Sequence, residues 1–306
     1  MSNTKLDNSN ISVHLGQTSQ YKSTYDADLL VREPRINNRK HLDITDDNLP
    51  FGGCDVWNAY EVSGLTESGV PVTGYAKVKY PCDSPSIVES KSIKLYFNSF
   101  NMTRLGLTRD SVINSIEYIS KRDLSKLLET DVEVKVYPAN MLQGGKNYFK
   151  SYVTLEDTLN IRDLECTVYN ETPGLLEQDE EISTTPKLNR FHSSLLKSNC
   201  RVTSQPDWGD VYIYMKSRIQ PNIESLLKYI VSFRDECHFH EEICETVYKR
   251  LTDSYSPEKL AVACLYVRRG GIDINPFRVS HSSLLQLSEF KNLVDMNTPF
   301  VKTTRQ

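Results

Sequence analysis

Apolar residues follow two different rhythms along this chain. Val56 to Val62 and Val70 to Tyr80 are extended, valine- and tyrosine-rich runs, and their link Ser63-Gly64-Leu65-Thr66-Glu67-Ser68-Gly69 holds two glycines. The pattern predicts a hairpin with a longer loop. Pro71 cannot donate to a ladder, so it is expected at the start of its strand or on an edge. The stretch Glu89 to Asn101 fits both periods and is read as a helix. From Asp110 onward, Val112, Ile116, Ile119, Leu124, Leu127 and Leu128 recur at helical spacing, with Asp110 as the expected cap. Val132, Val134 and Val136 then alternate as a strand stopped by Pro138.

The second half repeats this order. Val211 to Tyr214 reads as a strand, Ile223, Leu226, Leu227 and Ile230 mark a helix after Pro221, and a further helix carries His240, Cys244, Val247 and Leu251 on one face. Ala261 to Val267 is an apolar strand ended by Arg268-Arg269-Gly270-Gly271. Between the halves, the acidic stretch from Glu171 to Pro186 has the composition of a linker. The repetition predicts a duplicated α+β unit, divided at residues 1–172 and 173–306.

Composition narrows the function classes. At 306 residues and 39% hydrophobic content the chain suffices for one large or two ordinary domains with a sizeable core. A net charge of −4 supplies no field for nucleic acid or an anionic membrane, although a single nucleobase remains open as a ligand. No apolar run spans a bilayer and the start MSNTKLDNSN lacks an apolar signal core, so a cytoplasmic protein is expected. The seven cysteines are odd in number and scattered, and are expected as reduced thiols.

The candidate chemistry centres on Ser198 to Gly209. Cys200 lies beside Arg201 and near Lys197, and positive charge favours a thiolate. Asp207 follows Pro206, whose fixed φ favours a turn that folds the carboxylate back toward the sulfur. The competing assignment makes Cys200 a small core residue and Asp207 a turn residue. Lys91 and Lys94 with Ser90 and Ser92 suit either phosphate or a solvated face, and Arg269 with Gly270 suits either a phosphate grip or an ordinary loop. Cys237, His238, His240 and Cys244 contain a zinc-like spacing, although Cys244 also falls on an apolar helix face. Glu241 is either an acceptor for two donors on a guanine-like edge or an acid at a helix start.

Four motifs in one order, ESKSIKLYFNSFN (89–101), SNCRVTSQPDWG (198–209), FHEEIC (239–244) and RRGGIDINPFR (268–278), resemble the NADPH-dependent 7-cyano-7-deazaguanine reductases, the nitrile reductases of queuosine biosynthesis, in their two-module form. Phe277 stands where many relatives carry tryptophan. The resemblance implies duplicated tunnelling-fold modules, an antiparallel sheet with helices packed on one face, and a homodimer. It implies Cys200 as the nucleophile that forms a thioimidate and Asp207 as the proton donor. It also implies Val88, Glu89, Ser90, Phe239, His240 and Glu241 around the deazaguanine, and Ser90, Lys91, Arg269 and Gly270 around NADPH, with no metal. Because these residues come from both modules, the site is expected where modules meet. Three other readings remain open at this point: an amidine-forming relative using the same cysteine, a zinc-dependent cyclohydrolase of the same fold using Cys237, His238, His240 and Cys244, and a non-catalytic purine binder.

Overall fold

Both rhythms become the elements they predict. The computed structural model describes residues 22–139, 148–160, 164–179, 183–201, 204–298 and 306. After a short strand β1 (Arg32–Pro34) and helix α1 (Arg35–Arg39), the hairpin forms from β2 (Gly52–Thr66) and β3 (Pro71–Pro81), with Pro71 opening its strand. Strand β4 (Ser86–Val88) pairs with β1 and leads into helix α2 (Ser90–Ser99). A short β5 (Arg104–Gly106) lies beside the end of β2, helix α3 (Arg109–Leu128) follows, and β6 (Glu133–Pro138) returns along β3.

The second half gathers in β7 (Val153–Thr154) and a helical turn α4 (Leu155–Thr158), which precede residue 173 in the chain but pack with it through β8. It continues through β8 (Lys187–Ser193), β9 (Lys197–Asn199), β10 (Pro206–Ser217), helices α5 (Ile223–Val231) and α6 (His240–Tyr255), strands β11 (Lys259–Tyr266) and β12 (Ile272–Val279), and helix α7 (Ser288–Val294). The first half sets the pair β2 and β3 and helices α2 and α3 before one returning strand, β6, and the second sets β8 and β10 and helices α5 and α6 before two, β11 and β12. The halves share one sheet in the order β6-β3-β2-β12-β11-β10-β8-β7, antiparallel throughout except at β7. The expected α+β architecture with an antiparallel sheet stands.

The ends of the helices explain why they form where they do. Helix α2, ambiguous by period, is capped by the Glu89 carboxylate, which accepts from the Lys91 and Ser92 amides at 3.1 and 2.7 Å. The cap of α3 is Thr108 and not Asp110: the Thr108 hydroxyl accepts from the Ser111 amide at 3.2 Å, leaving Asp110 in the first turn beside the positive helix end.

Alternation along the strands separates the cores. Trp57 and Ala59 of β2 face Ile93, Phe97, Val112 and Ile116 of α2 and α3, while Val211, Ile213, Val262 and Cys264 face Leu226, Ile230, Val247 and Leu251 of α5 and α6. The long helices therefore lie on one face, as expected. The opposite face is also covered, because Val56, Tyr212, Tyr214 and Ala263 pack against Phe290, Leu293 and Val294 of the short α7.

At the seam, β12 of the second half pairs with β2 of the first, from Ile272 opposite Ala59 to Val279 opposite Gly52. Gly53 has a φ of +134°, and a Cβ there would run into the Phe277 carbonyl. Charges are buried beside this seam. The Arg278 guanidinium donates to Asp55 of β2 at 2.8 Å and to Glu245 of α6 at 2.8 Å, Arg39 of α1 reaches Glu245 at 2.8 and 2.9 Å, and Arg35 pairs with Asp55. Removing one partner of a buried pair leaves uncompensated charge. Arg278→Met is therefore expected to cost roughly 3–5 kcal/mol in urea unfolding at an unchanged m value. A loss under about 1 kcal/mol would show that Arg35 and Arg39 suffice.

Candidate functional site

Cys200 stands at the mouth of a closed turn. Its amide donates to the Gln205 carbonyl and its carbonyl accepts from the Ser204 amide, both at 2.8 Å, with Ser204 in the left-handed region at a φ of 53°. Strand β9 pairs with the start of β10, placing Asp207 opposite Ser198. A thiol and a carboxylate seven positions apart in sequence thus return to one wall.

That wall faces a cavity of about 400 Å³ between the halves, a size suited to a small ligand. Helix α2 contributes Ser90, Lys91, Lys94 and Leu95; the second half contributes Cys200, Gln205, Asp207, His240, Arg269 and Gly270. Val267, Ile272 and Ile274 complete it. Asp207, only 3% exposed, forms an ion pair with Arg269, whose other terminal nitrogen donates to Gln205. His240 Nε2 lies 3.8 Å from Asp207, and the ring stands edge-on to Tyr266 at 4.0 Å. Burial depresses the imidazole pKa and Arg269 adds to this, against the pull of Asp207, so His240 favours its neutral form.

The other end of the cavity is cationic. The Lys91 ammonium is buried without a hydrogen-bond partner among the described residues, and Lys94 Nζ lies 4.0 Å from Glu61. Gly270 has a φ of +57°, and a Cβ there would sit 2.8 Å from the Lys94 ammonium, so glycine permits both the turn and the lysine's approach. Three cations face one ion-paired carboxylate. This balance suits a phosphate-bearing ligand.

Several expected residues do not line the cavity. Val88 is buried in β4, Glu89 is committed to capping α2, and Phe239 lies under the Arg201 guanidinium at 5.3 Å. Glu241 is buried in the first turn of α6 with Oε1 unpartnered among the described residues. Burial pushes its carboxyl up to about 8, with the nearby Asp55 charge adding to this and Arg35 and Arg278 opposing it. The cations expected to act on Cys200 are engaged elsewhere: Arg201 grips Glu242 and Asn38, and Lys197 donates to Asn199 and the Arg234 carbonyl. The four zinc candidates diverge. His238 is held between Glu236 and Glu242, Cys244 is sealed in the core, Cys237 is exposed, and His240 faces Asp207. Gln205, Ile272 and Ile274 were not foreseen, although Gln205 belongs to the same turn as Cys200 and its place there was a usable signal.

A family model described as nitrile reductase, 7-cyano-7-deazaguanine-reductase N-term, matches residues 21–136, and one described as QueF-like protein matches residues 206–284. A Rickettsia canadensis protein named NADPH-dependent 7-cyano-7-deazaguanine reductase is 41% identical over 272 residues, covering 86% of this chain and 91% of that one. A Legionella pneumophila (strain Paris) protein of the same name is 42% identical over 266 residues, covering 86% and 88% respectively. Among solved structures, the archaeosine synthase QueF-Like in its apo form aligns with 32% of this chain and 94% of its own at 17% identity and a TM-score of 0.28.

The raised value for Glu241 has a testable sign. A carboxyl at about 8 in the folded state, against an ordinary 4.5, contributes stability that is complete below pH 4.5 and lost as pH rises toward 8. Glu241→Gln keeps the neutral shape at every pH. In urea titrations its advantage over the parent should be absent below pH 4.5 and grow upward by about 1.4 kcal/mol per pH unit. An advantage independent of pH would show that Glu241 is already ionised at neutral pH.

Proposed function

The chain belongs to the 7-cyano-7-deazaguanine reductase family, and from that premise we propose that it reduces the nitrile of 7-cyano-7-deazaguanine to 7-aminomethyl-7-deazaguanine with NADPH, in queuosine biosynthesis. The observation that carries this reading is a single cavity with Cys200 and Asp207 on one wall and the cationic group Lys91, Lys94 and Arg269 around the rest.

The residues present fit the cofactor. A buried ammonium without a partner at Lys91, the Arg269 fork and the open backbone at Gly270 are what a dinucleotide phosphate requires, and Ser90 adds a hydroxyl. Bound NADPH would supply the hydrides. Everything else falls to the chain. The Cys200 sulfur adds to the nitrile carbon, one carbon–nitrogen π bond breaks, and the thiol proton passes through Asp207 to the nitrogen, giving a thioimidate on Cys200. This covalent step gives reduction an activated carbon in place of a poorly electrophilic nitrile. After the first reduction the sulfur leaves, and the resulting imine has to stay in the cavity, away from water, until the second.

Within this reading Ser90 and His240 touch the deazaguanine, with Val88, Glu89, Phe239 and Glu241 around it. Glu241 supports the assignment, since an unpartnered buried carboxyl oxygen suits the paired donors of an amidine edge. Residues 1–172 and 173–306 are taken as two modules of the tunnelling fold, assembling as a cytoplasmic homodimer. Among the described residues no helix is long and apolar enough to cross a membrane.

Intact mass spectrometry of the protein with the nitrile alone is expected to show one adduct, mapped to Cys200 and absent in Cys200→Ala. With NADPH added, turnover should consume two equivalents per nitrile in the parent and be abolished in the variant. Failure to see the adduct would remove the covalent step, and turnover without NADPH consumption would identify an amidine-forming enzyme instead.

A further inference from the structure

Arg201, the residue after the nucleophile, has no part in the chemistry above, yet it is among the most heavily bonded side chains near the site. Its Nη1 donates to Asn38 Oδ1 at 2.6 Å, and its Nη2 reaches both Glu242 oxygens at 2.8 and 3.0 Å. Its Nε donates to the Cys237 carbonyl at 3.4 Å, and the guanidinium lies over the Phe239 ring. These partners belong to α1 of the first half and to the entry and first turn of α6. The carboxylate it grips is buried, with a side chain 1% exposed. His238 holds the same carboxylate through Nδ1 at 2.9 Å and Glu236 through Nε2 at 2.8 Å.

The residue before the nucleophile is tied to the same segment. The Asn199 amide donates to the Glu236 carbonyl at 2.7 Å, and the Asn199 carbonyl accepts from the His238 amide at 3.2 Å. Cys200 is thus bracketed by backbone bonds on one side and by one long side chain on the other.

We propose that Arg201 is a positioning residue: through Glu242, Asn38 and the His238 segment it fixes the Cys200 turn against α1 and the start of α6, setting how readily the sulfur meets the nitrile and leaving ligand affinity unchanged. The proposal rests on the covalent reading above. Its physical basis is that a guanidinium whose three nitrogens hold Asn38, a buried carboxylate and the Cys237 carbonyl is fixed in orientation as well as distance, and that small displacements of a nucleophile cost large factors in rate. The groups facing His238 are Glu236, Glu242, Arg201 and the stacked His41. Burial works against its charge, but the two carboxylates carry its pKa up to about 9. Loss of that proton takes a donor from Glu242 or Glu236, so the anchor weakens as pH rises through 9.

The test follows adduct formation by time-resolved intact mass with the nitrile and no NADPH. Non-covalent affinity is measured separately by calorimetry in Cys200→Ala and in Cys200→Ala with Arg201→Ala. Arg201→Ala is expected to lower the saturating adduct rate at least about tenfold, while the two Cys200→Ala backgrounds bind within about twofold of each other. Arg201→Lys, a point charge without the fork, should recover part of the rate. His238→Gln should react more slowly than the parent at pH 7 and lack its step near pH 9. A wild-type saturating rate in Arg201→Ala, or a loss confined to affinity, overturns the proposal; if that variant does not fold, wild-type behaviour of both Arg201→Lys and His238→Gln does so. Absence of the adduct in the parent would sink the covalent reading itself, whereas an adduct in the parent with indifferent variants sinks only the positioning role.

Discussion

The pairing of Arg278 with both Asp55 and Glu245 is the constraint on which the rest of this structure depends. Its three residues lie on β12, β2 and α6, and Arg35 and Arg39 bring in α1. Burial alone would push the Asp55 and Glu245 carboxyls up, yet the guanidiniums hold both below their ordinary range, with Arg278 first for each. A network of this kind is weak as a source of net stability, because each ion loses its hydration. It is strong as a specifier, because any register other than Phe277 opposite Cys54 would leave a charge stranded at the seam.

The same network shapes the site above it. Three guanidiniums are set against two carboxylates, leaving the buried region one positive charge in excess. Glu241, in the next turn of α6, is the group able to balance that excess. Burial and the Asp55 charge nonetheless raise its pKa, against the opposing pull of Arg35 and Arg278. The titration of Glu241 is therefore set in part by the charges of the seam. Because α2 rides on β2 and α6 rides on β11 and β12, fixing the seam also fixes Lys91 relative to Cys200.

What could be read in the sequence was local. The strand alternation, the helical faces, Pro71 at a strand start and the Cys200–Asp207 turn all depend on residues within about ten positions of one another, where period and turn chemistry act directly. What could not be read was long-range. Asp55 and Arg278 stand 223 positions apart, and each looks in isolation like a polar interruption of a strand. Arg201 misled for the same reason: adjacency to Cys200 suggested an electrostatic role, but its charge goes to Glu242, forty-one positions away. Thr108 displaced Asp110 as a cap because three acids and hydroxyls crowd that helix start, and only backbone geometry selects among them. The resemblance supplied the site residues that spacing alone left open, including Glu89, whose observed partners are the amides of its own helix.

Arg201 and Lys197 being engaged elsewhere changes how a nucleophile at Cys200 must be selected. Burial pushes the thiols of Cys54, Cys82 and Cys244 upward and seals them in apolar cores, and Cys237, also raised, is exposed on the surface. Cys200 alone among the described cysteines lines the cavity. In the reaction proposed above the thiol proton passes to a neighbouring base as the bond to carbon forms, and Asp207 is a carboxylate on the same wall. Arg269 holds that carboxylate while also standing among the groups suited to phosphate. In the proposed reaction the guanidinium that orients the proton carrier is also the one that would meet the cofactor, which would couple the two ends of the cavity through a single side chain.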